Sequence, residues 1–108
     1  MLARRGADIN ASNRAGRTAL WFAVYNDNEP MIRALLGLKV KVDQTGDDHD
    51  TPLIQAARTG LTPIAKLLLD AGADPNIHLG SLVAADFAEI DGHAETATPI
   101  RSRMKPAR

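Results

Sequence analysis

An all-α fold built from repeated helix pairs is what this sequence predicts, on three observations. Short sequence elements recur at one fixed spacing, that between Thr18 and Thr51. The apolar share is small and helix-favouring, with 18 Ala and 12 Leu against four aromatic residues, a composition suited to thin, closely packed helices. The clearest period carries two helix starts of the cap-and-proline kind, each later closed by glycine. Several independent pairs hold the recurrence. Gly6-Ala7-Asp8-Ile9-Asn10 returns two spacings on as Gly72-Ala73-Asp74-Pro75-Asn76, and Lys39-Val40-Lys41-Val42-Asp43 is a degenerate copy halfway between. Thr18-Ala19-Leu20 precedes Thr51-Pro52-Leu53 by one spacing, as Ala23 precedes Ala56 and Leu35-Leu36 precedes Leu68-Leu69.

Taken in order, residues 1–5 match only the last turn of a second helix before Gly6. The first full period places helices from Thr18 to Tyr25 and from Pro30 to Leu36. There Asp27 stands where the next period has Gly60, and Lys39 where it has Gly72, so these helix ends are expected to be less well terminated. In the next period Thr51 is a good N-cap and Pro52 suits the first helical position. That helix runs through Ile54, Ala56 and Ala57 to a stop at Gly60. Thr62-Pro63 repeats the start, and Ile64, Leu67 and Leu68 fall at i, i+3 and i+4 to make a buried stripe. The third copy, Val83 to His93, is short by one residue. Thr98-Pro99-Ile100 echoes Thr62-Pro63-Ile64, so a short helix is expected to start at Pro99, although Arg101, Ser102, Arg103 and Lys105 supply almost no apolar stripe.

These residues resemble the ankyrin repeat, a unit of about 33 residues with a Thr-Pro-Leu-His-type helix start, small Ala residues in the first helix, a Leu-Leu pair in the second and Gly-Ala-Asp-x-Asn at the close. Thr51-Pro52-Leu53, Ala56-Ala57, Gly60, Leu68-Leu69 and Gly72-Ala73-Asp74-Pro75-Asn76 fit that pattern. The resemblance implies a solenoid of stacked helix pairs with β-turn fingers on one side. It divides residues 1–97 into a stub (1–10), two repeats (11–43 and 44–76) and a short closing repeat (77–97). Residues 98–108 are left as a basic tail or short capping helix. The sequence departs from the pattern where Trp21 and Ile54 replace the family's His, and where the finger Gly16 becomes His49. The closing copy carries Asp86-Phe87-Ala88-Glu89 and then Gly92-His93, as closing repeats often do.

A repeat cannot bury its apolar face alone. Leu20, Ala23 and Leu35 of the first repeat are therefore expected on an uncovered side. That points to a fragment of a longer array, a misplaced start, or self-association through that face.

The resemblance implies a protein-binding module, acting through finger tips and the exposed ends of the first helices on a concave face. The positions carried over are Arg14, Arg17, Tyr25 and Asn26 in one repeat, and Asp47, Asp48, Asp50, Arg58 and Thr59 in the next. Tyr25 is the strongest single candidate, because aromatic anchors dominate binding hot spots; Trp21 sits at an inward position and reads as core. Two other settings are open: a structural array within a larger protein or effector, and a small bacterial accessory or immunity-type binder. Asp43, Asp47, Asp48, His49 and Asp50 cluster in one finger, but their spacing fits no EF-hand and turns collect Asp for backbone reasons. They read as an acidic contact patch, with no metal or other cofactor expected. His78 and His93 read as structural.

Formal net charge is zero, with 13 Lys+Arg against 13 Asp+Glu, so overall charge does not drive binding to nucleic acid or membrane. Cysteine is absent, which excludes disulfides and Cys nucleophiles. Ser12, Ser81 and Ser102 lie outside any nucleophile-elbow pattern and no phosphate loop occurs, so no enzyme is expected. No apolar segment suits a leader peptide or a membrane span, and a cytoplasmic setting is the default expectation.

Overall fold

Two-turn helices are marginal in water by themselves, and the described residues solve that by stacking six of them. A computed structural model describes residues 17–45 and 50–104. In chain order the helices are α1 (Ala19–Tyr25), α2 (Glu29–Gly37), α3 (Pro52–Thr59), α4 (Thr62–Asp70), α5 (Ala84–Ile90) and α6 (Ala94–Ser102). They pair as α1–α2, α3–α4 and α5–α6; α3 sits between α1 and α5, and α4 packs on α6. The described residues are thus all-α, three stacked helix pairs.

The starts follow the cap chemistry in the first helices α1 and α3, while α5 starts at Val83 without a side-chain cap. Thr18 Oγ1 accepts from the Trp21 N–H at 3.3 Å and Thr51 Oγ1 from the Ile54 N–H at 3.1 Å. Pro52 follows Thr51 where its missing N–H costs nothing. The second-helix starts differ. Asn28 caps α2 through its Oδ1, which accepts from Met31 N–H. At α4 the cap position falls to Leu61 rather than Thr62. Thr62 instead spends its hydroxyl on a 2.7 Å hydrogen bond with the buried Thr96 of α6.

The ends are alike in all three pairs. Asp27, Gly60 and Gly92 occupy the same place after the first helix, each with positive φ: 52°, 73° and 83°. The residue after each donates back across the turn, Asn28 to the Ala23 carbonyl, Leu61 to Ala56 and His93 to Ala88. Lys39 likewise takes φ 61° where Gly72 has 101°. The first repeat is therefore terminated by the same left-handed turn as the second, but with a Cβ present, which costs about 1 kcal/mol per position.

The core is a single seam of Leu20, Val24, Ile32, Leu35, Leu53, Ile54, Ile64, Leu68 and Ile100, with Ala56, Ala57, Ala65, Ala84, Ala85 and Ala88 buried between them. Alanine at those places lets neighbouring helices approach closely. Leu20, Ala23 and Leu35 belong to this seam and are buried, which corrects the expectation that they lie on an uncovered side. Leu20, Trp21, Ala23 and Val24 make up the buried face of α1. Among the described residues, the large apolar side chains left outside are Phe22, Tyr25, Met31, Leu38 and Ile90.

The third pair also differs from expectation. Helix α6 begins at Ala94, not at Pro99, and its buried stripe is Thr96, Ala97 and Ile100. Pro99 lies inside the helix, where its missing N–H leaves the Glu95 carbonyl without an i+4 donor. The helix crosses the 97/98 boundary drawn from sequence. The one-residue deletion lies in the finger: Leu79 and Leu82 form an antiparallel bridge across a turn that contains Gly80 at φ 69°.

Candidate partner-binding site

The first-helix ends and finger bases come together through one buried carboxylate. Asp50 precedes the Thr51 cap and is only 5% exposed. Arg58, near the end of α3, reaches it from Nη2 at 2.7 Å, and Arg17 from the preceding repeat at 3.7 Å. Each guanidinium also lies over an aromatic ring, Arg17 over Trp21 at 4.3 Å and Arg58 over Phe87 of α5 at 5.5 Å. Trp21, Arg17, Asp50, Arg58 and Phe87 thus form a ladder that touches all three helix pairs. A buried carboxylate is tolerable only when paired, and here both partners come pre-oriented by ring stacking.

Tyr25 stands on this ladder. Its ring stacks on Trp21 with centroids 5.3 Å apart and planes 13° from parallel, while Phe22 meets Trp21 edge-on at 5.2 Å. Trp21 is buried, as expected of core; Tyr25 remains 60% exposed. An aromatic ring fixed on one face and open on the other loses little freedom when a partner covers it.

The structure places the sequence-derived candidates unevenly. Tyr25 and Asn26 are exposed at the end of α1, Thr59 is exposed at the end of α3, and Arg17 and Arg58 are half-buried. Thr59 turns its hydroxyl back to the Gln55 carbonyl at 2.9 Å. Asp50 departs from its expected place on the surface: it is inside, and it positions the two arginines. Arg14, Asp47 and Asp48, with His49, lie outside the described residues. Sequence reading missed Ile90, which is 66% exposed at the end of α5. Its signal was present: Tyr25, Arg58 and Ile90 each lie seven residues after Thr18, Thr51 and Val83, the three first-helix caps. Counting one fixed spacing on from Arg58 lands on Asp91 instead.

Of the acidic finger cluster, Asp43 has a structural task. Its carboxylate accepts the Asp74 N–H at 3.0 and 3.3 Å, tying one finger base to the next. Burial pushes its carboxyl up, against the lowering effect of that N–H, and the charge of Asp74 adds to the rise. Among the described residues, no three His, Asp or Glu side chains converge as a metal site would need. His93 packs its ring against Gly60, the structural role expected of it.

Arg101 of α6 binds Glu89 through Nε and Nη2 at 2.8 Å each, and Asp86 at 3.1 Å. Asp86 is held below the usual carboxylate range first by the Val83 N–H and also by Arg101; Glu89 is held down by its hydrogen bond to Arg101. Arg103 pairs with Asp70 at 2.6 Å. Arg101 and Arg103, read from sequence as part of a basic tail, are thus bound to the body of the protein.

A stack of helix pairs with left-handed glycine stops and a Leu-Leu second helix defines a repeat solenoid of the ankyrin class. The chain belongs to the ankyrin-repeat family: a family model of three ankyrin repeats matches residues 1–78. Such repeats are non-catalytic modules that mediate protein–protein interaction. Among similar proteins, the nuclear factor NF-kappa-B p105 subunit of Gallus gallus is 43% identical over 79 residues, 71% of this chain and 8% of its own length. The ankyrin repeat domain-containing protein SAT10 of Stachybotrys chartarum is 42% identical over 92 residues, 82% of this chain and 5% of its own. The putative E3 ubiquitin-protein ligase XBAT34 of Arabidopsis thaliana is 32% identical over 107 residues, 95% of this chain and 28% of its own. The chain therefore spans a small part of each of these relatives. Among the described residues, no helix is long and apolar enough to cross a membrane.

Proposed function

We propose that this chain binds a protein partner through the first-helix ends, with Tyr25 and Asn26 of α1 and Arg58 and Thr59 of α3 in contact and Arg17 beside them. The observation that carries this is the Tyr25 ring, 60% exposed yet stacked on buried Trp21. Asp50 supports the surface by fixing Arg17 and Arg58. No catalytic step is assigned to the chain. The test is affinity capture from the native source with the parent chain and with Tyr25→Ala and Asn26→Ala. Loss of the captured protein in Tyr25→Ala, at unchanged helicity, supports the assignment; retention in both variants overturns it.

A second reading makes the array one segment of a larger protein whose activity lies elsewhere. It is favoured by the small share of each relative that the chain spans, 5–28% in the three described. The mass of the native protein, measured with an antibody to this chain, decides it: a species near 11.6 kDa speaks against that reading.

A further inference from the structure

Resting on that reading, we infer that the partner presents an amphipathic helix with a carboxylate midway between two apolar anchors. Tyr25, Arg58 and Ile90 each lie seven residues after their cap residue, so they form one ridge along the stacked helices α1, α3 and α5. The ends of this ridge are apolar and open, Tyr25 at 60% and Ile90 at 66% exposure. Its centre is cationic. Arg58 spends one N–H of Nη2 on Asp50, and its Nε is buried, so the N–H groups open to a partner are those at the Nη end. A guanidinium has five donors, so unspent N–H groups remain on a side chain that is 35% exposed and already stacked over Phe87. A carboxylate is the acceptor that matches this geometry with the greatest gain.

Spacing selects the shape of the occupant. Packed helices lie about 8–10 Å apart, so neighbouring positions on the ridge are separated by about that distance. Along an α-helix seven residues span about 10.5 Å and return to the same face after two turns. Positions i, i+7 and i+14 of one helix therefore meet Tyr25, Arg58 and Ile90 in register, with apolar residues at the ends and Glu or Asp at the centre. Asp91, exposed beside Ile90, favours a basic residue next to one apolar anchor and so gives the helix a direction.

The experiment is selection of a randomised helical-peptide library on the immobilised full chain. Synthetic twins of the best binder with Glu or Gln at the central position follow, read by the emission of the single tryptophan. The expected result is enrichment of the apolar–acidic–apolar pattern at spacings of about seven residues. Affinity is expected to be roughly tenfold or more weaker for the Gln twin, and to fall in Tyr25→Ala and in Ile90→Ala. Both variants change exposed side chains and leave the core untouched. Equal affinity of the twins, with loss of binding in Tyr25→Ala, overturns the carboxylate inference and leaves the surface assignment standing. Enrichment of proline-rich or extended sequences overturns the helical occupant. Binding indifferent to both variants, or no enrichment at all, overturns the ridge together with the surface on which it lies.

Discussion

The second and third helix pairs have the same frame and opposite outer faces. In α3–α4 the positions Ile54, Ala57 and Leu69 are buried, and the next pair lies against them. Counted from their caps, the same positions in α5–α6 are Asp86, Glu89 and Arg101. There Arg101 bridges the two carboxylates. A substitution of three apolar residues by an ion-paired set converts an interface into a surface without altering the helices beneath. Stacking is decided by a few outward positions; the pair itself is decided by caps, left-handed stops and the Leu or Ile that faces inward.

That comparison can be broken first at the core. Leu68 and Ile100 are equivalent and both fully buried. Leu68→Ala is expected to cost about 3 kcal/mol in urea unfolding followed by helicity, and Ile100→Ala about as much. An Ile100→Ala cost under ~1 kcal/mol would show that the third pair is frayed rather than sealed. Next come the stops. A Cβ at Gly60 would meet the His93 ring at 2.6–2.8 Å, whereas at Gly92 it would meet nothing within 4 Å. Gly60→Ala is expected to cost about 2–3 kcal/mol and Gly92→Ala about 1 kcal/mol, the difference measuring space and the remainder measuring backbone strain. Helix starts follow: Thr51→Val is expected to lose about 1 kcal/mol, while Val83→Thr gains a few tenths to ~1 by supplying the hydroxyl that α5 lacks.

Smaller effects sharpen the first pair against the second. Asp27→Gly and Lys39→Gly are each expected to raise stability by about 0.5–1 kcal/mol, because the native φ is positive at both. The smallest effect is in acid. Asp86 and Glu89 titrate below their usual values in the folded chain. Their contribution is therefore present at neutral pH and is lost as pH falls through those lowered values. Asp43, raised by burial, works in the opposite sense: the strain of its charge is relieved as pH falls through its raised value. NMR titration of the Glu89 carboxyl in Arg101→Leu is expected to return it towards the ordinary value; an unmoved titration would break the assignment of its cause to Arg101.

Local chemistry was the legible part. Thr18 and Thr51 cap as their side chains predict, Gly60 and Gly72 stop helices, and of the i, i+3, i+4 stripe Ile64 and Leu68 are buried while Leu67 is only half-buried. Recurrence at a fixed interval revealed the pairing of helices. What could not be read depended on contacts between layers. Asp50 looks like a finger-tip residue until Arg17 and Arg58, from two different repeats, are brought to either side of it. Thr62 looks like a cap until Thr96, 34 residues away, offers it a partner. Ile90 and the start of α6 were hidden by one deleted residue in the Leu79–Leu82 finger, which shifts every later position out of step.

The Trp21–Arg17–Asp50–Arg58–Phe87 ladder bears on how the molecule comes apart. A linear array held only by neighbour contacts can unzip layer by layer from either end. Here peeling away α1 would strip Asp50 of one cation, and opening α3 would strip it of the other while pulling Arg58 off Phe87. Loosening at one end is thus felt at the middle, and the ladder biases this short stack towards melting as one unit.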